Sequence, residues 1–230
     1  MAIYAIADLH LSAAAEKPMD IFQGWDNHQE RLVRNWEEKV KPEDTIVLAG
    51  DISWGMSLKE ALPDLRLIHN LPGKRKVILK GNHDYWWTSV GKMTAALEEN
   101  GLCSLCFLHN NSYYVEGVHL CGSRGWIFEN GQPHDEKLVR REAMRIEASL
   151  KARGAEDGET VLFLHYPPAF AGQMLEAYFR LMRDYGVRRC FYGHIHGPGH
   201  RFAVRGEREG VMLKMISADY LNFDPIHVTY

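Results

Sequence analysis

Asp8, His10, Asp51, Asn82, His165, His194 and His196 are oxygen and nitrogen donors, with no thiolate among them. Such a set suits Mn²⁺, Fe, Zn²⁺ or Ni²⁺ and disfavours an iron–sulfur or soft-metal site. Seven protein ligands are too many for one small ion but suit two, and one aspartate using both oxygens could bridge them. In dinuclear sites the ions lie roughly 3.5–4 Å apart and clamp the attacking and leaving oxygens of an in-line displacement. His83 and Asp84 directly follow Asn82, adding an imidazole and a carboxylate that can move protons.

These residues need positioning, and the chain supplies it in a repeated design. Lys76-Val77-Ile78-Leu79 is a short apolar strand running into Lys80-Gly81-Asn82-His83-Asp84. Ile3–Ala7 runs into Asp8 and His10, Thr45–Ala49 into Gly50-Asp51, Thr160–Leu164 into His165, and Arg189–Tyr192 into Gly193-His194-Ile195-His196. Open α/β sheets place ligands beyond the carboxyl ends of their strands. The five strand ends are therefore expected to meet at one place.

Between the strands, Asp26 or Asn27 can cap a helix with Leu32, Val33, Trp36 and Val40 inward. Ser57-Leu58-Lys59-Glu60 has capping-box form, and Pro63 either kinks that helix or starts a new one. Thr88 or Ser89 can cap a helix closed by Gly101. From Leu105 to Gly122, turn signals at Asn110-Asn111 and Glu116-Gly117 suggest antiparallel hairpins. The spacing of Val139, Ala143, Ile146 and Leu150 predicts an amphipathic helix over His134 to Arg153, and a further helix is expected from about Gln173 to Tyr185. A strand-like run, Val211–Ile216, lies in the tail. The expected fold class is α/β: two mixed β-sheets packed together with helices outside, as one domain over residues 1–230.

A net charge of −3 gives no dedicated nucleic-acid surface. No segment approaches the ~18 uninterrupted apolar residues of a membrane span, and the N-terminus lacks the basic region of a signal peptide. The chain reads as cytoplasmic. Cys103, Cys106, Cys121 and Cys190 are read as buried thiols on strands, since the lone Cys103-x-x-Cys106 has no second ligand pair to complete a zinc site.

The motif series resembles the calcineurin-like metallophosphoesterase superfamily. The resemblance rests on D-x-H at Asp8 and His10, G-D at Gly50 and Asp51, and G-N-H-D at Gly81 to Asp84. It continues with His165 and with G-H-x-H at Gly193 to His196. It implies two divalent metal ions, manganese foremost, with iron, zinc or nickel as alternatives. Asp8, His10 and His196 would hold the first ion, Asn82, His165 and His194 the second, and Asp51 would bridge. A hydroxide between the ions would attack a phosphoester in line. His83 would contact the phosphate and assist the leaving oxygen, with Asp84 orienting its imidazole. Asn82 would lie against substrate as well.

The resemblance leaves the substrate open between a small phosphodiester and a phosphomonoester. The alternative is a metal-binding scaffold of the same fold with little or no catalysis. A scaffold member of the superfamily, in the retromer complex, lacks the histidine that His83 supplies here. Arg124, in a glycine-flanked loop, could reach a phosphate or form a salt bridge. Trp54, Tyr85, Trp86 and Trp87 follow the motifs and form either an aromatic wall for substrate or a packing layer. The remaining histidines are read as surface or packing residues, with His28 and His200 closest to the ligand loops.

Overall fold

The computed structural model describes residues 1–127 and 135–228. Its first half runs β1 (Ile3–Ile6), α1 (His28–Lys39), β2 (Thr45–Ala49), α2 (Leu58–Asn70), β3 (Arg75–Leu79), α3 (Val90–Glu99) and β4 (Leu105–Phe107). The second half begins with β5 (Ser112–Val115), β6 (Val118–Ser123), α4 (Asp135–Lys151) and β7 (Glu159–Leu164). It continues through β8 (Ala169–Phe170), β9 (Gln173–Met174), α5 (Glu176–Asp184) and β10 (Arg189–Tyr192). β11 (Gly206–Arg208), β12 (Val211–Met215) and β13 (Ile226–His227) complete the order.

Two large sheets result. One has strand order β13-β1-β2-β3-β4, and the other β11-β12-β10-β7-β6-β5. β1 to β4 pair in parallel, as do β12, β10, β7 and β6, while β13, β11 and β5 are antiparallel edges. Successive side chains on a strand point to opposite faces, which assigns the core to layers. Ala5, Val47, Val77 and Leu79 of the first sheet share one apolar cluster with Leu120, Val161, Phe163 and Phe191 of the second. Their neighbours Ile6, Ile46, Leu48 and Ile78 face outward onto Leu32 and Trp36 of α1, Leu65 and Ile68 of α2, and Met93 of α3. Cys121, Leu162 and Tyr192 face Ile146 and Leu150 of α4 and Tyr178 and Met182 of α5. The layers are thus helix, sheet, sheet, helix, matching the expected class.

Several local expectations change. Of the two expected turns, Glu116-Gly117 closes a hairpin, between β5 and β6. At Asn110-Asn111 the chain instead leaves the first sheet for the second, because β4 pairs in parallel with β3 (Cys106 opposite Val77) and has no tight-turn partner. α2 runs unbroken through Pro63, with Ser57 Oγ accepting the Glu60 N–H at 3.3 Å. Ser89 and Asn27 sit at N-cap positions but neither side chain caps. Gln173-Met174 form β9 against β8, so the following helix starts later, at Glu176. α4 starts at Asp135; His134, expected to open this helix, lies outside the described residues. Cys121 and Cys190 are buried on strands, but Cys103 is exposed in a turn and Cys106 is only half-buried.

Candidate metal centre

Every expected ligand follows the carboxyl end of a parallel strand, and the two sheets bring those ends together. Asp8 N–H donates to the Gly50 carbonyl at 2.8 Å and His10 N–H to the Asp51 carbonyl at 3.0 Å, joining the loops after β1 and β2. The second sheet is tied in by His194 N–H, which donates to Asp8 Oδ2 at 2.9 Å. Gly193 N–H donates to the His165 carbonyl at 3.1 Å. The turns are tight: Asp8, His10, Asp51 and His194 all hold positive φ, of 61°, 47°, 52° and 74°. Each such residue costs of order 1–3 kcal/mol. That is comparable to what burying one Leu or Phe side chain returns, so the stacked sheets sustain the strain.

The donor atoms converge in two groups. Asp8, His10 and His196 form one, and Asp8, Asp51 and His165 the other, with the ligand atoms of each within 4.8 Å of one another. Asn82 and His194 join the second group, since Asn82 Oδ1 lies 2.6 Å from His165 Nε2 and 3.0 Å from His194 Nδ1. Asp51 Oδ2 lies 3.8 Å from His10 Nε2 and 3.5 Å from His165 Nε2, so it faces both groups. Its Oδ1 accepts the His83 N–H at 2.7 Å. Asp51 therefore presents chiefly Oδ2 to the two groups, rather than both oxygens.

The arrangement fits cations. His165 Nδ1–H donates to the Ala49 carbonyl at 3.1 Å, which leaves a lone pair on Nε2 facing the Asn82 oxygen. Two acceptors at that distance repel unless a positive ion is shared between them. Burial holds the His165 and His194 imidazoles down at about 3, so both are neutral donors at pH 7. Burial and the neighbouring His196 also lower His10 well below its usual value. Burial, with repulsion from Asp84 and Asp8, raises the Asp51 carboxyl well above its usual value. A divalent ion would reverse that penalty.

His83 is half-buried beside the donors, its ring 4.5 Å from Trp54 and 5.7 Å from His10. The expected Asp84–His83 contact is replaced by a different one. Asp84 is fully buried and accepts N–H groups of Asp51 (2.9 Å), Ile52 (2.8 Å), Ser53 (3.3 Å) and Gly81 (2.7 Å), together with the Trp86 indole at 3.0 Å. The side-chain neighbour of His83 Nδ1 is the Tyr85 hydroxyl at 3.4 Å. A carboxylate surrounded by that many donors organises loops rather than the imidazole.

Arg124 is likewise drawn elsewhere. Its Nη2 lies 3.6 Å from the buried Glu142 carboxylate and its guanidinium 5.2 Å from the Trp126 ring. What it gives the centre is its carbonyl, which accepts N–H from His165 and Tyr166 at 3.1 and 2.8 Å. The aromatic residues divide. Trp54 stacks on His10 at 5.0 Å and Tyr85 is exposed, whereas Trp86 is buried and Trp87 packs on Phe107. Sequence reasoning missed Trp25, whose ring sits 5.6 Å from His10, 5.5 Å from His196 and 5.4 Å from His28. It also missed Asp219, which bonds His196; the strand-then-carboxylate rule applied once more, to Val211–Ile216, finds it.

A four-layer α/β fold with converging oxygen and nitrogen donors at its strand ends defines a metal-binding hydrolase architecture. The chain belongs to the calcineurin-like phosphoesterase family, whose model matches residues 1–198. It is similar to the Gene 66 protein of Mycobacterium phage D29, 35% identical over 82 residues. That stretch spans 36% of this chain and 40% of the phage protein's length. Among solved structures it shares its fold with protein TT1561 of Thermus thermophilus, at TM-score 0.55 and 14% identity over 98% of this chain and 97% of that one. It also resembles a protein of unknown function from Aquifex aeolicus, at TM-score 0.50 and 19% identity over 98% and 95%. No helix among the described residues is long and apolar enough to cross a membrane.

Proposed function

We propose that residues 1–230 act as a single domain that hydrolyses the ester bond of a small phosphodiester or phosphomonoester at a two-metal centre. The observation that carries this is the convergence of seven oxygen and nitrogen donors from both sheets, with His83 beside them. Asp8, His10 and His196 would hold one ion and Asn82, His165 and His194 the other, with Asp51, which faces both groups, as the shared ligand. Two divalent ions, manganese foremost, would supply Lewis acidity and lower the pKa of a bound water when present.

The chain's own residues do the rest. His83, held by the Asp51 carboxylate through its backbone N–H and flanked by Trp54, offers an imidazole N–H to the phosphate and then to the leaving oxygen. Burial lowers this imidazole below its usual value, which favours a neutral ring whose N–H stabilises the leaving oxygen by hydrogen bonding rather than by proton transfer. Asn82 lines the same space as ligand and substrate contact. Asp84 holds the loops after β2 and β3 in register, and Arg124 supports the His165 loop through its carbonyl. Cysteines without a disulfide among them suit a reducing, cytoplasmic setting.

Manganese-loaded protein is to be assayed on a chromogenic phosphodiester and its matched monoester, with His83→Asn as control. Turnover of either, lost in the variant, supports the reading, and the faster substrate identifies the ester class. Two bound metals with no turnover of either would favour the scaffold alternative.

A further inference from the structure

We propose that Asp219 is a positioning residue for the metal centre: it engages the Nδ1–H of His196 and so commits Nε2 of that imidazole to the first ion. The inference rests on the two-metal reading above. His196 Nδ1 lies 2.9 Å from Asp219 Oδ1. Its other nitrogen, Nε2, lies 3.4 Å from His10 Nε2 and 3.6 Å from Asp8 Oδ1, inside the donor group. A ligand imidazole whose second nitrogen donates to a carboxylate is fixed in tautomer and orientation and made more basic.

The carboxylate is itself held. Asp219 Oδ2 accepts the Gly197 N–H at 2.9 Å, so the residue grips both sides of the His196 turn. His200 Nε2 stands 3.2 Å from the same oxygen, at ion-pair distance but not aligned for a hydrogen bond. The backbone around Asp219 is wedged between the strands that carry the ligands. Ile216 N–H donates to the Tyr192 carbonyl at 2.7 Å and Ala218 N–H to the Ala7 carbonyl at 3.0 Å. Asp219 thus emerges between the end of β1, which carries Asp8, and the end of β10, which carries His194 and His196.

His196 needs such support more than His10 or His165. Its side chain is 31% exposed, against 4% for His10 and 0% for His165. Burial and the Nδ1–H bond to the Ala49 carbonyl immobilise His165. At the rim of the site, a buried carboxylate does this work for His196. Asp219 lies beyond residues 1–198, so it comes from outside the stretch that carries the family match.

The test is metal binding rather than turnover. Manganese and zinc are titrated calorimetrically into metal-free wild type, Asp219→Asn and Asp219→Ala, with thermal unfolding of each metal-free protein alongside. One of two ions is expected to bind about 10–100-fold more weakly in the variants, with the other unchanged. Asp219→Asn, whose amide oxygen still accepts an N–H, should lose less than Asp219→Ala. Folded variants that bind both ions like wild type overturn the proposal, and so do variants that lose both ions equally, which signals general distortion. Heteronuclear NMR of the imidazole nitrogens in zinc-loaded wild type needs no variant. A proton on His196 Nδ1 and zinc on Nε2 is expected; the reverse overturns it. Wild type that takes up no metal overturns the proposed function with it, whereas failure of the variant data alone leaves that function standing.

Discussion

Asp84 Oδ2 accepts the backbone N–H of Asp51 at 2.9 Å and that of Gly81 at 2.7 Å, so one oxygen ties together the loops after β2 and β3. Asp84→Ala is expected to strip several buried N–H groups of their acceptor at once. Leaving such groups unsatisfied costs about 1–3 kcal/mol each before relaxation, so a loss of about 3–5 kcal/mol is expected from the metal-free protein. Denaturant unfolding measures it. A residue that served only to orient His83 would lower turnover and leave stability unchanged.

The imidazoles make the metal-free protein sensitive to pH in opposite directions. His165 and His194, held at about 3, bind protons more readily when unfolded, so stability falls as pH drops from about 6.5 toward 3. His196 behaves oppositely. Against its burial, Asp8 and Asp219 push it up to about 10. Its contribution is full below about 6.5 and is lost as pH rises toward about 10. A melting temperature that peaks near neutrality is expected, with the acid limb flattened in His194→Gln and the alkaline limb in His196→Gln. Thermal scans across pH check both.

Gly193 lies against the Asp8 carboxylate so closely that an added methyl would overlap it and the Ala7 side chain. Gly193→Ala should displace Asp8 and weaken uptake of the first ion by about tenfold or more. Metal titration against the wild type is the measurement.

Trp54 and Trp86 should separate cleanly. Trp54 stacks on His10 and packs at a tilt against His83, so Trp54→Ala is expected to lower kcat/KM by roughly tenfold, about 1.4 kcal/mol of transition-state stabilisation. Trp86 is buried with its indole on Asp84, so Trp86→Ala should instead cost about 3–5 kcal/mol of stability. Kinetics and unfolding of both variants test the division. Equal effects on both observables would refute it.

Arg124 shows why some candidates could not be placed from the chain alone. Its glycine flanks left phosphate contact and ion pairing equally open, and only the fold brings the buried Glu142 of α4, distant in sequence, to ion-pair distance from its guanidinium. Asp84 is similar. Its position after His83 suggested a partner for that imidazole, yet the N–H groups that claim it come largely from the loop after β2.

The sequence by itself determined the donor set, its order and the strands that end in it, because an apolar strand followed by glycine and polar residues is a local pattern. It also determined the layering, through apolar faces that must be covered on both sides of each sheet. Only the tertiary structure decided which oxygen of Asp51 faces both groups, that Asp84 clamps loops, and that Asp219 reaches His196. Those relationships depend on how two sheets stack and on positive φ at Asp8, His10, Asp51 and His194. Such backbone conformations are imposed by surrounding contacts, since the local preference of these residues runs against them.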